Sequence, residues 1–445
     1  MKALSHIRPE EVLPEAMKNP AEVLFIGIDI SSKDHVVRAV LGNMNRLKDK
    51  FIFTSTYDNI NYFCDWVHKI KKIYNARHVF IGLEPTGQYW LPVYEFLRDN
   101  LPESGTYEVA SRAVSWYRKM KNSNSSKTDP GDAYSIAELV ATGNCCRPIQ
   151  HTSLTKNLRE TMRLYDEATT RLLQTRQQLM AMVQKSFPEA LSSVSSPEGI
   201  DGIFKILKDS INPKDITKVS QEQWVELKVR KGVARKKLRN LYFLAQYSLG
   251  QIDNEKYRNI LWKIQWKSWK NTLQRCDDLK NILKEIIDLH EVTPYLLTID
   301  GVATITIAAF LAGIGDINQY SSEKQIEKVF GFDFFRWQSG KMDCQPHITK
   351  HGYSIGRKYL VLAGERFIKY PEPNEWYNRR IKKTKDGKPG MSGVIALTAK
   401  LIRIMFAVAK FKKPYDASLA FKSQCRARVI EKSPFAASRK LAFTG

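Results

Sequence analysis

Eight residues near the front of the chain, Val23-Leu24-Phe25-Ile26-Gly27-Ile28-Asp29-Ile30, make an almost unbroken apolar run with a single acid in it. A run of this kind is expected for a strand buried on both faces of a sheet. Asp29 is costly there unless a cation or hydrogen bonds compensate it, so the strand calls for a partner at its end.

The segments that follow set the fold class. Val36–Leu41 and Phe51–Ser55 read as strands, with Gly42-Asn43 as a turn signal, so the first three strands can form an antiparallel meander. A helix over Ile60–Ile73, a strand over His78–Leu83, a helix over Trp90–Leu101, a strand over Tyr107–Ala110 and further helix complete the order β-β-β-α-β-α-β-α. That is the order of a ribonuclease-H-like, α/β domain. Strands one and four are neighbours in such a sheet, and the fourth ends in Glu84, within Ile81-Gly82-Leu83-Glu84-Pro85-Thr86-Gly87.

A second pair of acids follows in Lys127-Thr128-Asp129-Pro130-Gly131-Asp132-Ala133. A spacing of three puts Asp129 and Asp132 on one face of a first helical turn. Locally two readings stand level: a cap and dipole role for an acid before proline, or metal ligation. For Asp29 alone, a strand-end acid held by backbone donors is similarly open. Four carboxylates converging in one fold with hardly any His or Cys nearby favour hard divalent ions, Mg²⁺ or Mn²⁺, which take oxygen ligands and retain waters for substrate phosphates. Two such ions can stabilise both the attacking and the leaving oxygens of phosphoryl transfer.

Charge points to the same substrate class. Lys and Arg number 70 against 46 Asp and Glu, a net charge of +24. Residues 21–150 carry 16 basic and 14 acidic groups, residues 151–378 carry 34 and 26, and residues 379–445 carry 17 and 3. A nearly neutral front and a basic rear suggest chemistry in one part and polyanion binding in the other. The first 20 residues lack the apolar core of a secretory signal. Val302–Ile314 is the most apolar stretch and is too short to span a bilayer. Six scattered cysteines without CxxC spacing argue against zinc sites and disulfides. The expectation is a cytoplasmic protein with no membrane partner.

Residues 154–187 read as one long amphipathic helix and Glu255–His290 as another, with Trp262, Trp266 and Trp269 in its stripe. Residues 192–254, punctuated by Ser, Pro and Gly, read as an insertion at the tip of a helical hairpin, which is a candidate for dimerisation. The domain boundaries expected are a leader 1–20, a catalytic domain 21–150, a helical coiled-coil hairpin 151–292 with its insertion at about 190–254, a mainly helical C-terminal domain 293–415, and a basic tail 416–445. The tryptophans, each followed by Lys, can stack on exposed bases, but their helical spacing favours a core stripe.

Taken together, Gly27-Ile28-Asp29, Glu84-Pro85-Thr86-Gly87 with Tyr89, and Lys127-Thr128-Asp129 with Asp132-Ala133 resemble the DEDD transposases of bacterial insertion sequences, the "IS one-ten" family, and their relatives the Piv-type DNA invertases. The resemblance implies a RuvC-like N-terminal domain in which Asp29, Glu84, Asp129 and Asp132 hold the metal. It extends to Leu297-Thr298-Ile299-Asp300-Gly301-Val302-Ala303, which looks like a helix-hairpin-helix turn, with core packing as the stronger alternative. It also covers Arg336-Trp337-Gln338-Ser339-Gly340, and by resemblance Ser339 is the nucleophile that forms a phosphoserine–DNA intermediate in a site composed from two domains. Covalent capture conserves the phosphodiester energy for rejoining.

Candidate nucleic-acid contacts are Arg336, Lys341, Lys350 and Arg357, then Lys382, Lys383 and Lys388, and Arg235, Lys236 and Lys237 within a run of seven basic residues in twelve. The partners implied by the resemblance are donor and target DNA, a non-coding bridge RNA and further copies of the chain in a homo-oligomer, a dimer or tetramer. Three other readings compete: a Piv-like site-specific invertase, an actin-like ATPase or sugar kinase opened by Gly27-Ile28-Asp29, and a non-catalytic nucleic-acid-binding protein of ribonuclease-H-like fold. The absence of an Asp-x-Gly-Thr phosphate loop counts against the kinase, and the complete tetrad with Ser339 counts against the non-catalytic protein.

Overall fold

The computed structural model describes residues 18–85, 87, 89–121, 129–146, 152–229, 235–250, 255–335, 338–339, 342–343, 347–380 and 391–421. The chain divides into two compact units: residues up to Thr152 with Gly315–Ile326, and Ser153–Ile314 with the residues from Glu327 on.

The first unit is a sheet covered on both faces. Its strands are β1 (Val23–Asp29), β2 (Asp34–Leu41), β3 (Arg46–Thr54), β4 (His78–Leu83) and β5 (Gly105–Glu108), in the order β3-β2-β1-β4-β5. β1 is antiparallel to β2 and parallel to β4, and β4 is parallel to β5. Strands one and four are therefore neighbours, as expected. Helices α1 (Tyr57–Ile73), α2 (Trp90–Asn100), α3 (Ser111–Lys121) and α4 (Asp129–Ala141) accompany the strands.

Alternation along β1 divides the core. Leu24, Ile26 and Ile28 join Phe63, Val67, Val93 and Leu97 of α1 and α2 on one face. Val23 and Phe25 join Phe80, Val114, Ile136 and Val140 on the other, where α3 and α4 lie. β1 is buried over its first six residues, the burial its apolar run requires. β3 starts earlier than its apolar part: along Arg46–Lys50 only Leu47 is apolar and buried, and this part of the strand lies at the sheet edge.

The second unit is mainly helical. α5 (Ser153–Ser186) is followed by five short helices, α6 (Pro188–Ser192), α7 (Pro197–Ile206), α8 (Pro213–Thr217), α9 (Gln221–Lys228) and α10 (Arg235–Gln246), and then by α11 (Glu255–Asp288). Ala168 of α5 packs with Cys276 and Leu279 of α11, while Leu179 and Val183 pack in the cluster of Trp262 and Trp269, so the two long helices run antiparallel.

The insertion between them is a folded helical body. Its Ser, Pro and Gly punctuation marks helix starts: Pro188, Pro197 and Pro213 sit in first turns, Ser196 and Asn212 cap their helices, and Ser220 with Gln223 forms a capping box. Phe204, Leu207, Trp224, Leu238 and Leu241 form a common core with Trp262 and Trp269. Trp262 and Trp269 form the core stripe that their spacing favours, not a base-stacking surface: both are buried and the Trp262 indole Nε1 donates to the Leu207 carbonyl at 2.8 Å. Trp266 is half-buried against the same cluster.

The remaining elements are α12 (Thr293–Leu296), α13 (Thr304–Ile314), α14 (Glu323–Phe330), the two-residue strands β6 (Phe334–Phe335), β7 (Gln338–Ser339), β8 (Met342–Asp343) and β9 (His347–Ile348), then α15 (Ser354–Phe367), α16 (Pro371–Arg380), α17 (Met391–Phe411) and α18 (Ala417–Ala420). The turn before α13 is a packed one: Ile299 and Val302 are buried, and Thr298 Oγ1 accepts from the Tyr415 amide at 2.8 Å. α13 falls within the apolar stretch Val302–Ile314 and is too short to span a bilayer, and α17 is a second, longer apolar helix. It is 21 residues long and apolar enough to cross one, yet more than half of its apolar stretch is buried within the protein. Gly364 of α15 meets Thr398 of α17 so closely that a Cβ there would lie 2.1 Å from Oγ1, which makes α17 a core helix.

Candidate active site

Two glycines decide where the acids come to lie. Gly27 of β1 and Gly82 of β4 are directly paired across the parallel ladder, and α4 rests on both. A Cβ on Gly27 would stand 2.0 Å from the Ala133 carbonyl oxygen and 2.5 Å from the Ala137 amide nitrogen. A Cβ on Gly82 would meet Val140 and Ile136 side chains at 2.5 and 2.9 Å. With hydrogen in both places, the helix backbone settles directly onto the sheet.

Asp29 lies two residues beyond Gly27 and Glu84 two beyond Gly82, so both leave the sheet on the α4 face at the same level, where Ile28 pairs with Leu83. Asp132 precedes the Ala133 that touches Gly27. The close seating of α4 therefore carries the Asp129–Asp132 turn to the same end of the sheet as Asp29 and Glu84. Asp29 and Glu84 are half-buried, Asp129 is exposed, and Asp132 is buried.

Asp132 has a counter-cation. Arg118 of α3 directs Nη1 at both of its carboxylate oxygens at 2.6 Å. Six residues on in α4, Glu138 is equally buried and accepts from Arg46 Nε at 3.0 Å and Lys121 Nζ at 2.5 Å. Burial pushes the Glu138 carboxyl upward, and its hydrogen bonds to Arg46 and Lys121 outweigh that and hold it below the usual range. Tyr134 donates from its hydroxyl to the Leu47 carbonyl and lies under the Arg46 guanidinium, which is 4.7 Å from its ring centre. These contacts fix α4 at its position on the sheet.

His35 of β2 is also buried, and its Nε2 shares a hydrogen bond of 2.6 Å with Ser55 Oγ. Burial lowers its pKa against the opposing pull of Asp34, so the ring is neutral at pH 7. None of Arg118, Lys121, Glu138 or His35 was singled out by the sequence reading. Glu138, an acid inside Ile136-Ala137-Glu138-Leu139-Val140, carried the same signal as Asp29. Arg118 carried none, because its partner is chosen by the packing of α3 on α4.

The donor set fits a hard divalent cation in its chemistry: the acids at this sheet end offer oxygen only. As the side chains stand, no three His, Cys, Asp or Glu among the described residues are close enough together to hold a metal ion.

The serine segment belongs to the second unit. Ser339 ends β7, which pairs antiparallel with β8 through Ser339 and Met342, and its side chain lies outside the described part of the structure. Arg336, Lys341, Lys382, Lys383 and Lys388 also lie outside the described residues. Lys350 is exposed in a left-handed turn. Arg357 is half-buried and donates from Nη1 to the Phe330 carbonyl at 3.0 Å, with burial lowering its pKa. The guanidinium thus serves the end of α14.

Arg235, Lys236 and Lys237 open α10, with Arg235 paired to Glu226 at 2.9 Å. The solvent face of the same helix continues through Arg239 to Phe243 and Tyr247, which are 56% and 70% exposed with ring centres 5.2 Å apart. In the sequence that aromatic pair is hard to tell from the core residues beside it, Leu238, Leu241 and Tyr242, which are buried.

Comparison with known proteins gives two matches. A family model of DEDD transposases, described as Transposase, matches residues 26–188. A second, described as Transposase IS116/IS110/IS902 family, matches residues 293–377. Together they account for more than half of the chain. No curated protein matches it.

Proposed function

We propose, for a chain that belongs to the IS110 family of transposases and is thus an insertion-sequence enzyme acting on DNA, that it cleaves, exchanges and rejoins DNA strands using Asp29, Glu84, Asp129 and Asp132 as a metal-binding tetrad and Ser339 as nucleophile. The family implies dependence on a divalent metal, and the oxygen-only donors favour Mg²⁺ or Mn²⁺. The observation that carries the reading is the pairing of Gly27 with Gly82, which levels Asp29 with Glu84 and seats α4 beside them.

Each residue has a separate task. Asp29 and Glu84 supply carboxylate oxygens from rigid strand ends, and Asp129 and Asp132 supply them from the first turn of α4. A bound divalent ion supplies Lewis acidity at the scissile phosphate. The Ser339 hydroxyl attacks phosphorus and loses its proton, the ester oxygen of the cut strand departs as a hydroxyl by taking up a proton, and the resulting phosphoserine ester keeps the bond energy until a new strand-end hydroxyl displaces the serine. Lys350, with Arg336, Lys341, Lys382, Lys383 and Lys388, and Arg235, Lys236 and Lys237 on α10, hold nucleic-acid backbone by charge. A bridge RNA from the element pairs with donor and target DNA, and the α5–α11 hairpin joins copies of the chain into an oligomer.

The test is a strand-transfer reaction with purified protein, element-derived RNA and labelled donor and target DNA in Mg²⁺. Cleaved and joined strands are expected, and chelation with EDTA should remove both. Cleavage that survives chelation would contradict the tetrad, and joining at full yield without RNA would remove the RNA from the account.

A further inference from the structure

Two ion pairs tie α3 to α4, and they differ in what else holds each acid. Glu138 is shared between Lys121 and Arg46, so it keeps a cation when either is lost. Asp132 has both oxygens on one nitrogen of Arg118. The side chain of Asp132 is 3% exposed and that of Arg118 is 24% exposed, so the guanidinium reaches solvent while the carboxylate does not.

The geometry points to Arg118 as a built-in competitor for the metal: its guanidinium neutralises Asp132 and must give up that carboxylate for a divalent cation to bind. This rests on the reading of Asp132 as a metal ligand. A divalent ion on the same oxygens would stand within a few ångströms of the guanidinium charge, a repulsion only partly screened at a buried site. Leaving Asp132 without any cation is costly too, so one positive group has to replace the other. Arg118 thus sets how much metal the site requires, and it keeps α4 seated whenever the metal is not bound.

Lys121 provides the control, because it clasps the same two helices without touching the tetrad. The measurement is a Mn²⁺ titration of the full-length protein, following free Mn²⁺ by electron paramagnetic resonance, for the parent chain, Arg118→Met, Arg118→Lys, Lys121→Met and Asp29→Asn. Arg118→Met should bind Mn²⁺ about tenfold more tightly and Arg118→Lys about threefold, while Lys121→Met stays within about twofold. Arg118→Met and Lys121→Met should both melt earlier without added metal, and Mn²⁺ should restore only Arg118→Met. Unchanged or weaker Mn²⁺ affinity in folded Arg118→Met overturns the proposal and leaves Arg118 a structural clasp. Should that variant fail to fold, unchanged affinity in Arg118→Lys does the same. A parent chain with no Mn²⁺ site sensitive to Asp29→Asn removes the tetrad reading itself, a result distinct from either.

Discussion

Asp29→Asn will lower DNA strand cleavage by about a thousandfold while leaving nucleic-acid binding within about twofold of the parent chain. The amide keeps the shape of the side chain at the end of β1 and loses the charge that a divalent ion requires. Glu84→Gln, at the same level just past the end of β4, should behave alike, since neither strand end moves when the charge is removed. Binding persists because the basic groups lie elsewhere in the sequence: the excess of positive charge falls in residues 151–445. Filter binding and gel analysis of cleaved strands on the same preparations separate the two effects. Equal loss of binding and cleavage would mean that the acids serve the fold.

Gly27→Ala should destabilise the first unit by more than about 3 kcal/mol, because the added methyl would lie 2.0 Å from the Ala133 carbonyl oxygen. Backbone cannot rotate away as a side chain does. α4 would have to lift from the sheet, straining the contacts of Glu138 with Arg46 and of Tyr134 with Leu47. Gly82→Ala meets side-chain methyls instead and should cost only about 1–2 kcal/mol. Chemical denaturation of both variants checks the order. Residual folded Gly27→Ala should also cleave poorly, since the helix that carries Asp129 and Asp132 is displaced from Asp29. A Gly27→Ala protein as stable as the parent would show that α4 is not seated as described.

The sheet was readable in the sequence wherever burial was complete. β1, β2 and β4 announce themselves as apolar runs, and the Gly42-Asn43 turn falls between β2 and β3 as read. β3 is readable only in its last four residues, Phe51–Thr54, because Arg46-Leu47-Lys48-Asp49-Lys50 holds a single apolar residue and resembles a loop. The helices inside the insertion are hard to read for a different reason: proline in a first turn and a serine or asparagine cap look like loop composition, yet here they start helices α6 to α9. The tryptophan stripe was readable as core from its three- and four-residue spacing.

Within the site, the acids were readable one by one, since an acid in or beside an apolar strand stands out. Their common level is a matter of register, which Gly27 and Gly82 set and which no local pattern encodes. The pairing of Arg118 with Asp132 depends on how α3 crosses α4, and fourteen residues of sequence separation conceal it.

The central claim joins the tetrad to Ser339, and formation of a covalent protein–DNA adduct tests both at once. Protein, element-derived RNA and end-labelled DNA are incubated with Mg²⁺, denatured, and resolved for label that migrates with the chain. A denaturant-resistant adduct is expected in the parent protein, mapping by peptide analysis to Ser339, and it should be absent in Ser339→Ala and in Asp29→Asn. An adduct retained by Ser339→Ala, or formed at full yield by Asp29→Asn, would contradict the account.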